Sequence, residues 1–352
     1  MYTRRNMNKL SKVLIIDDSA YIRKVLRQIL NKSPFLDVVG TATNGVEALE
    51  MVESLKPDVI TCDLIMPEMD GVTFIAEQMK RKPIPIVVVS IASESGEVAL
   101  SALSAGAVSF VQKPTALATE RVLEMSEELI ETVKEATTIS MKALVSQMET
   151  LPVPIPGKKG PRSAIELVVI GISTGGPQGL KSIIPPLPAD FPVPVAIVLH
   201  MPIGYTELYA RKLNELSNLH VTEAREGDEL VAGSVLLAPA GRHLVIRRSL
   251  DNRVTAHLDA KPFDKPHRPS VDVLFESAAN AFGEQVLGVV MTGMGSDGTE
   301  GSSWIKARGG IILTEAEESC IVYGMPRSVV EASLSDMQVP LNKLASKIME
   351  II

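Results

Sequence analysis

Three carboxylates sit where chemistry is easiest to build in an α/β chain. Asp17 and Asp18 follow the apolar run VLII (13–16), and Asp63 follows DVITC (58–62). Read as buried strands, these runs place all three acids at strand carboxyl ends, where open parallel sheets bind ligands. Three carboxylates would repel one another there unless a cation joined them, and an oxygen-rich pocket suits Mg²⁺. Ser90 closes the run IVVVS (86–90), and Lys113 follows SFVQ (109–112). Carboxylates, a metal, a hydroxyl and an ammonium together suit phosphoryl transfer onto a carboxylate, where charge compensation does most of the catalysis. One Asp at a strand end is ordinarily a solvated loop residue; the set at successive strand ends is what points to this chemistry.

A second set lies further along. ELVVIG (166–171) runs into G-I-S-T-G-G-P (171–177), where Gly171, Ser173 and Gly175 have the G-x-S-x-G spacing of a nucleophile elbow. Alone, such a glycine-rich strand-to-helix turn more often cradles a phosphate, although no G-K-[ST] follows and a P-loop is excluded. His200 ends VAIVLH (195–200), and Asp297 lies in T-G-M-G-S-D-G (292–298) after QVLGVVM (285–291). Each taken alone has a structural explanation. Together they make a Ser-His-Asp triad available, in a chain order unlike the Ser-Asp-His of α/β-hydrolases. His220 and His257 lie in polar segments, while His243 and His267 are flanked by Arg and read as loop residues.

Positioning these side chains takes two α/β units. Five βα repeats over residues 10–114 predict a flavodoxin-like (βα)5 domain with a five-stranded parallel sheet. The proline-bearing stretch LPVPIPGKKGPRS (151–163) reads as an exposed linker. Buried-strand runs at 166–171, 195–200, 234–239, 285–291 and 309–314 alternate with helical patterns, predicting a doubly wound, mostly parallel second sheet. The expected division is 10–130, a linker at 131–163, and 164–352. For 352 residues, two domains match a prior of about 150 each. Aromatics at 4% predict cores of Val, Ile, Leu and Ala. A net charge of −7 gives no electrostatic reason to bind nucleic acid or an anionic membrane. Two cysteines exclude a disulfide scaffold. No apolar run has the length of a signal peptide or a membrane span, so a cytoplasmic protein without membrane insertion is expected.

The pair at 17–18, D-x-x-M-P-E-M-D-G (63–71), VVVS and F-V-Q-K-P (110–114) resemble the receiver domain of two-component response regulators. The resemblance implies that Asp63 accepts phosphate from a chemotaxis histidine kinase and that Asp17, Asp18 and Asp63 hold Mg²⁺. It further implies that Ser90 and Lys113 contact the phosphoryl group, that Phe110 is the aromatic switch, and that Lys113–Pro114 is cis. G-I-S-T-G-G-P, L-H-M-P, H-R-P-S-V-D-V-L-F-E-S (267–277), T-G-M-G-S-D-G-T-E-G (292–301) and Y-G-M-P-R (323–327) resemble the catalytic domain of chemotaxis protein-glutamate methylesterases. That resemblance implies Ser173 as nucleophile, His200 as base and Asp297 as orienting acid. Thr174 would stand beside the nucleophile, and the Met294 N–H would be an oxyanion donor. The implied reaction is hydrolysis of glutamate γ-methyl esters on methyl-accepting chemotaxis receptors, with deamidation of receptor glutamines as a second activity and no cofactor in this domain. The order of the parts implies that the receiver restrains the hydrolase until it is phosphorylated. The competing readings are a response regulator whose output domain only binds a partner, and a DNA-binding regulator. Residues 166–352 lack the basic recognition helix the latter needs.

Overall fold

The computed structural model describes residues 10–90, 96–113, 119–149, 155, 164–251, 253–262 and 264–352. The expected cis bond at Lys113–Pro114 lies outside the described residues. The chain divides into two compact units, Met1–Met141 and Lys142–Ile352.

In the first unit, β1 (Ser11–Ile16), β2 (Leu36–Ala42), β3 (Val59–Cys62), β4 (Ile86–Ser90) and β5 (Ser109–Gln112) form one sheet in the order β2-β1-β3-β4-β5. Every pairing is parallel. Val13, Leu14, Ile60, Val87 and Val111 are fully buried, as strands covered on both faces require. Helices α1 (Ala20–Leu30), α2 (Gly45–Leu55), α3 (Gly71–Arg81), α4 (Gly96–Ser104) and α5 (Thr119–Ala136) alternate with the strands. Ser19, Asn44 and Asp70 cap α1, α2 and α3 by accepting from backbone N–H groups. The sheet order puts its switch point between β1 and β3, the strands that end at Asp17 and Asp63. Helix α6 (Met141–Glu149), which belongs to the second unit from Lys142 onward, occupies part of the stretch expected as linker; the Gln147 side-chain amide donates to the Ser319 carbonyl of the same unit at 2.9 Å.

The second unit is built on β6 (Leu167–Ile172), β7 (Val195–Leu199), β8 (His220–Glu223), β9 (Ser234–Leu237), β12 (Val286–Val290), β13 (Ile311–Glu315) and β14 (Met337–Val339). Their order is β14-β13-β12-β6-β7-β9-β8, again with every pairing parallel. The remaining pair, β10 (His243–Arg248) and β11 (Val254–Asp259), is a separate antiparallel hairpin. Covering helices include α7 (Gly176–Ile183), α8 (Thr206–Leu216), α9 (Val271–Phe282), α10 (Thr299–Ala307), α11 (Met325–Glu331) and α12 (Leu341–Ile351). From β6 the chain runs outward through β7 and returns as β12 on β6's other side. The switch point therefore lies between β6 and β12. Helices α11 and α12 were not anticipated, although Leu341, Leu344, Ala345, Ile348 and Met349 of α12 recur at helical spacing. The hairpin, β8 and β14 were not legible in the sequence. Their segments are short or half-exposed, so no apolar run announces them. Among the described residues no helix is long and apolar enough to cross a membrane.

Candidate active site

Ser173, His200 and the loop bearing Asp297 follow three adjacent strands of the second sheet. The ladder continues one step past β7, where the His200 N–H donates to the Ile172 carbonyl at 3.1 Å. The Ser173 N–H donates to the Thr292 carbonyl at 3.0 Å, tying the serine turn to the loop after β12. Two glycines allow the close approach. A Cβ on Gly293 would stand 2.7 Å from the Ser173 Cβ, and Gly175 takes φ +81° where a Cβ would meet Ile321 at 2.4 Å. Helix α7 begins directly behind the serine, with the Gly176 N–H donating to the Ser173 carbonyl.

His200 Nε2 lies 2.9 Å from Asp297 Oδ2. Since Asp297 can only accept, Nε2 carries the proton and Nδ1 keeps its lone pair; the tautomer is assigned from this network. Nδ1 is buried and has no hydrogen-bond partner. The structure therefore holds His200 and Asp297 together and Ser173 one strand away. No hydrogen bond joins Ser173 to His200 among the described residues, and such bonds commonly form only with substrate.

Asp297 is mostly buried and takes four donors. Besides His200, the Val271 N–H donates to Oδ2 at 2.8 Å, while Ser270 Oγ and the Asp272 N–H donate to Oδ1 at 2.8 and 3.0 Å. Burial raises the carboxyl's pKa, but the His200 contact and the amides at the α9 N-terminus outweigh it and hold Asp297 well below the usual range. Asp272 secures the same loop by accepting from the Gly298 and Gly301 N–H groups, each at 2.8 Å. His243 is the first residue of β10 and completely buried, not a loop residue as its Arg neighbour had suggested. Its Nε2 donates to the Pro262 carbonyl at 3.1 Å and its Nδ1 accepts the Ser270 N–H at 3.2 Å, so it braces the residue that braces Asp297. Burial lowers its pKa and favours this neutral form. His267 lies on a loop, as expected, but its ring stacks on that of His200 with centroids 4.2 Å apart. Desolvation, then the His200 ring, disfavour its imidazolium.

Sequence reasoning missed Ser270, Asp272, His243 and His267. Ser270 had a signal, standing directly before a helical pattern with an acid in its first turn. The two histidines had none, since their partners come from distant segments. Met294 and Thr174 are half-buried on the loops that meet at Ser173.

In the first unit, ligand oxygens of Asp17, Asp18 and Asp63 lie within 4.8 Å of one another. Asp17 and Asp63 are buried, and Asp18 is exposed. Lys113 Nζ stands 2.5 Å from Asp17 Oδ2 and 2.6 Å from Asp63 Oδ2. Burial raises the Asp17 pKa, and the Lys113 ammonium opposes it. Ser90 ends β4 buried beside β5, and Phe110 is buried within β5. Arg23 pins the acidic turn by donating to the Asp17 and Asp18 carbonyls.

The sequence profile of the CheB methylesterase family matches residues 168–348, and that of the response regulator receiver domain matches residues 13–125. A protein-glutamate methylesterase/protein-glutamine glutaminase of Myxococcus xanthus is 49% identical over 336 residues, covering 94% of each chain. One from Methanosarcina acetivorans is 41% identical, covering 97% of this chain and 99% of its own. Among solved structures, the Thermotoga maritima CheB methylesterase catalytic domain is 40% identical with a TM-score of 0.52. It covers 53% of this chain and 99% of its own.

Proposed function

The chain belongs to the CheB methylesterase family, its catalytic domain preceded by a response-regulator receiver domain, and from that premise we propose how its residues divide the work of a phosphorylation-activated protein-glutamate methylesterase. The relatives' names give a protein glutamate ester and a protein glutamine as the two substrates; in this reading the protein that carries them is a chemoreceptor, met in the cytoplasm. The observation that carries the reading is the His200–Asp297 pair beside the Ser173 turn at the switch point of the sheet.

His200 Nδ1 takes the Ser173 proton as Oγ attacks the ester carbonyl. Asp297 stabilises the imidazolium through Nε2 without taking its proton. The Met294 N–H receives the developing oxyanion, and the positive end of the α7 dipole favours the negative charge. His200 returns the proton to the departing methoxide, so methanol leaves. A water deprotonated by His200 then hydrolyses the acyl-enzyme, releasing glutamate. An amide substrate differs in releasing ammonia.

In the receiver, Asp63 takes a phosphoryl group from a histidine kinase. Asp17, Asp18 and Asp63 offer the oxygen donors a hard divalent cation prefers. Mg²⁺ held there supplies charge neutralisation during transfer. Lys113, paired with Asp63, stays to compensate the phosphoryl charge, while Ser90 and Phe110 respond to it. The test is methanol release from methylated receptor membranes, with and without a small phosphodonor. Stimulated release is expected, and no release under either condition would overturn the reading.

A further inference from the structure

Behind the nucleophile turn lies an acid with no part in the steps above. Glu315 ends β13 with no solvent exposure. Its Oε2 accepts the Thr292 N–H at 2.9 Å, and its Oε1 accepts Ser319 Oγ at 3.0 Å. Ser319 is itself held by two other elements, since its carbonyl accepts from Gln147 of α6 and its Oγ from the Leu341 N–H of α12.

Thr292, also fully buried, is fixed at every polar group. Its N–H goes to Glu315, and its carbonyl accepts the Ser173 N–H. Its Oγ1 accepts the Val322 N–H at 2.9 Å and lies 3.1 Å from the Thr174 carbonyl. The N–H and the carbonyl belong to the two peptide planes flanking the Thr292 Cα, so holding both fixes its φ and ψ. The second plane continues into Gly293, whose N–H donates to the Val322 carbonyl, and the next residue is Met294. Ser173 and the Met294 amide thus take their places from one residue, and that residue takes its orientation from a buried carboxyl.

Building on Ser173 as the nucleophile, we propose that Glu315 is a positioning residue whose carboxyl sets the Thr292 peptide and thereby the relative placement of Ser173 and the Met294 N–H. Removing the carboxyl leaves a buried N–H without an acceptor, and the loop moves to satisfy it. A shift near 1 Å at reacting groups costs on the order of a hundredfold in rate while substrate contacts elsewhere persist. Glutamine can replace the acid. Its amide oxygen accepts the Thr292 N–H, its NH₂ donates to Ser319 Oγ, and the Ser319 hydroxyl turns to the Ala316 carbonyl 3.1 Å away.

The test uses the full-length protein and two readouts: kcat and KM for methanol release, and the rate at which a fluorophosphonate labels Ser173, which needs no receptor. Glu315→Ala should lower kcat and the labelling rate by roughly 10- to 100-fold with KM little changed. Glu315→Gln should restore both to within about threefold, and Ser319→Ala should lower both by a few-fold. Should Glu315→Ala fail to fold, Ser319→Ala and Glu315→Gln carry the comparison. Labelling of Glu315→Ala or Ser319→Ala at the wild-type rate overturns the proposal, as does Glu315→Gln with the same loss as Glu315→Ala. Wild-type protein that is not labelled overturns the nucleophile assignment itself, and the proposal with it.

Discussion

Asp297, the proposed triad acid, is held by more than its charge. Each of its oxygens accepts two donors, so an amide NH₂ at either place would face two donors. Asp297→Asn should therefore lower kcat by a few orders of magnitude with KM little changed, and destabilise the fold by about 1–3 kcal/mol. Unchanged turnover in a methanol-release assay would show that His200 needs no acid. Ser173 contrasts with it, because its half-buried side chain makes no hydrogen bond within the turn. Ser173→Ala should abolish release and leave stability within about 1 kcal/mol by denaturant unfolding. Glu315 adds a pH dependence. Burial pushes its carboxyl up to about 7, so between its ordinary value near 4.5 and 7 the folded state binds more protons than the unfolded one. Its contribution is fully present below that window and is lost as pH rises through it, by at most about 3 kcal/mol. The pH profile of stability should therefore fall less across this range in Glu315→Gln than in the wild type, as thermal unfolding would show. Parallel profiles would mean that Glu315 titrates as in the unfolded chain.

Elements matter here through their ends. The α9 N-terminus directs the Val271 and Asp272 N–H groups at Asp297, and the Ser270 hydroxyl does the same. The start of α7 depends on Gly175, whose positive φ and contact with Ile321 leave no room for a side chain. Gly175→Ala should cost about 1–3 kcal/mol in thermal or chemical unfolding and slow fluorophosphonate labelling of Ser173. Wild-type behaviour in both would show that the turn tolerates a Cβ and that its geometry is not what exposes the serine. The loop after β12 joins these ends, because Thr292 holds the Ser173 turn while Asp297, five residues on, holds His200.

At the scale of the whole chain, phosphorylation acts on one sheet and ester hydrolysis on another, so activation is a shift between states of different activity. A bias of about 3 kcal/mol between them gives on the order of a hundredfold. Lys113 joins Asp17 and Asp63, and with Asp63 as the proposed acceptor a phosphoryl group there would change the charge that ammonium answers to. Asp63→Asn should abolish stimulation by a phosphodonor while leaving Ser173 reactive to fluorophosphonate. Stimulation that survives the substitution would move the acceptor elsewhere.

The strands were legible because each buried parallel strand is a short, uninterrupted apolar run. VLII, IVVVS and VAIVL announce β1, β4 and β7, and polar residues at their carboxyl ends announce the ligand crevices. From this the sequence alone determined the α/β class, the two-unit layout and the eight candidate residues at strand ends. What supports those residues came only from the tertiary structure. Ser270 and His243 lie 27 residues apart, as do Ser270 and Asp297, and Glu315 reaches Thr292 across 23. No local pattern encodes such pairings, since they arise where helix ends and strand ends meet. His267 shows the same limit, because a ring stacked on the face of His200 leaves no periodic trace in its own loop. Which nitrogen of His200 faces the acid was likewise decided in three dimensions, by the donors that hold Asp297 in place.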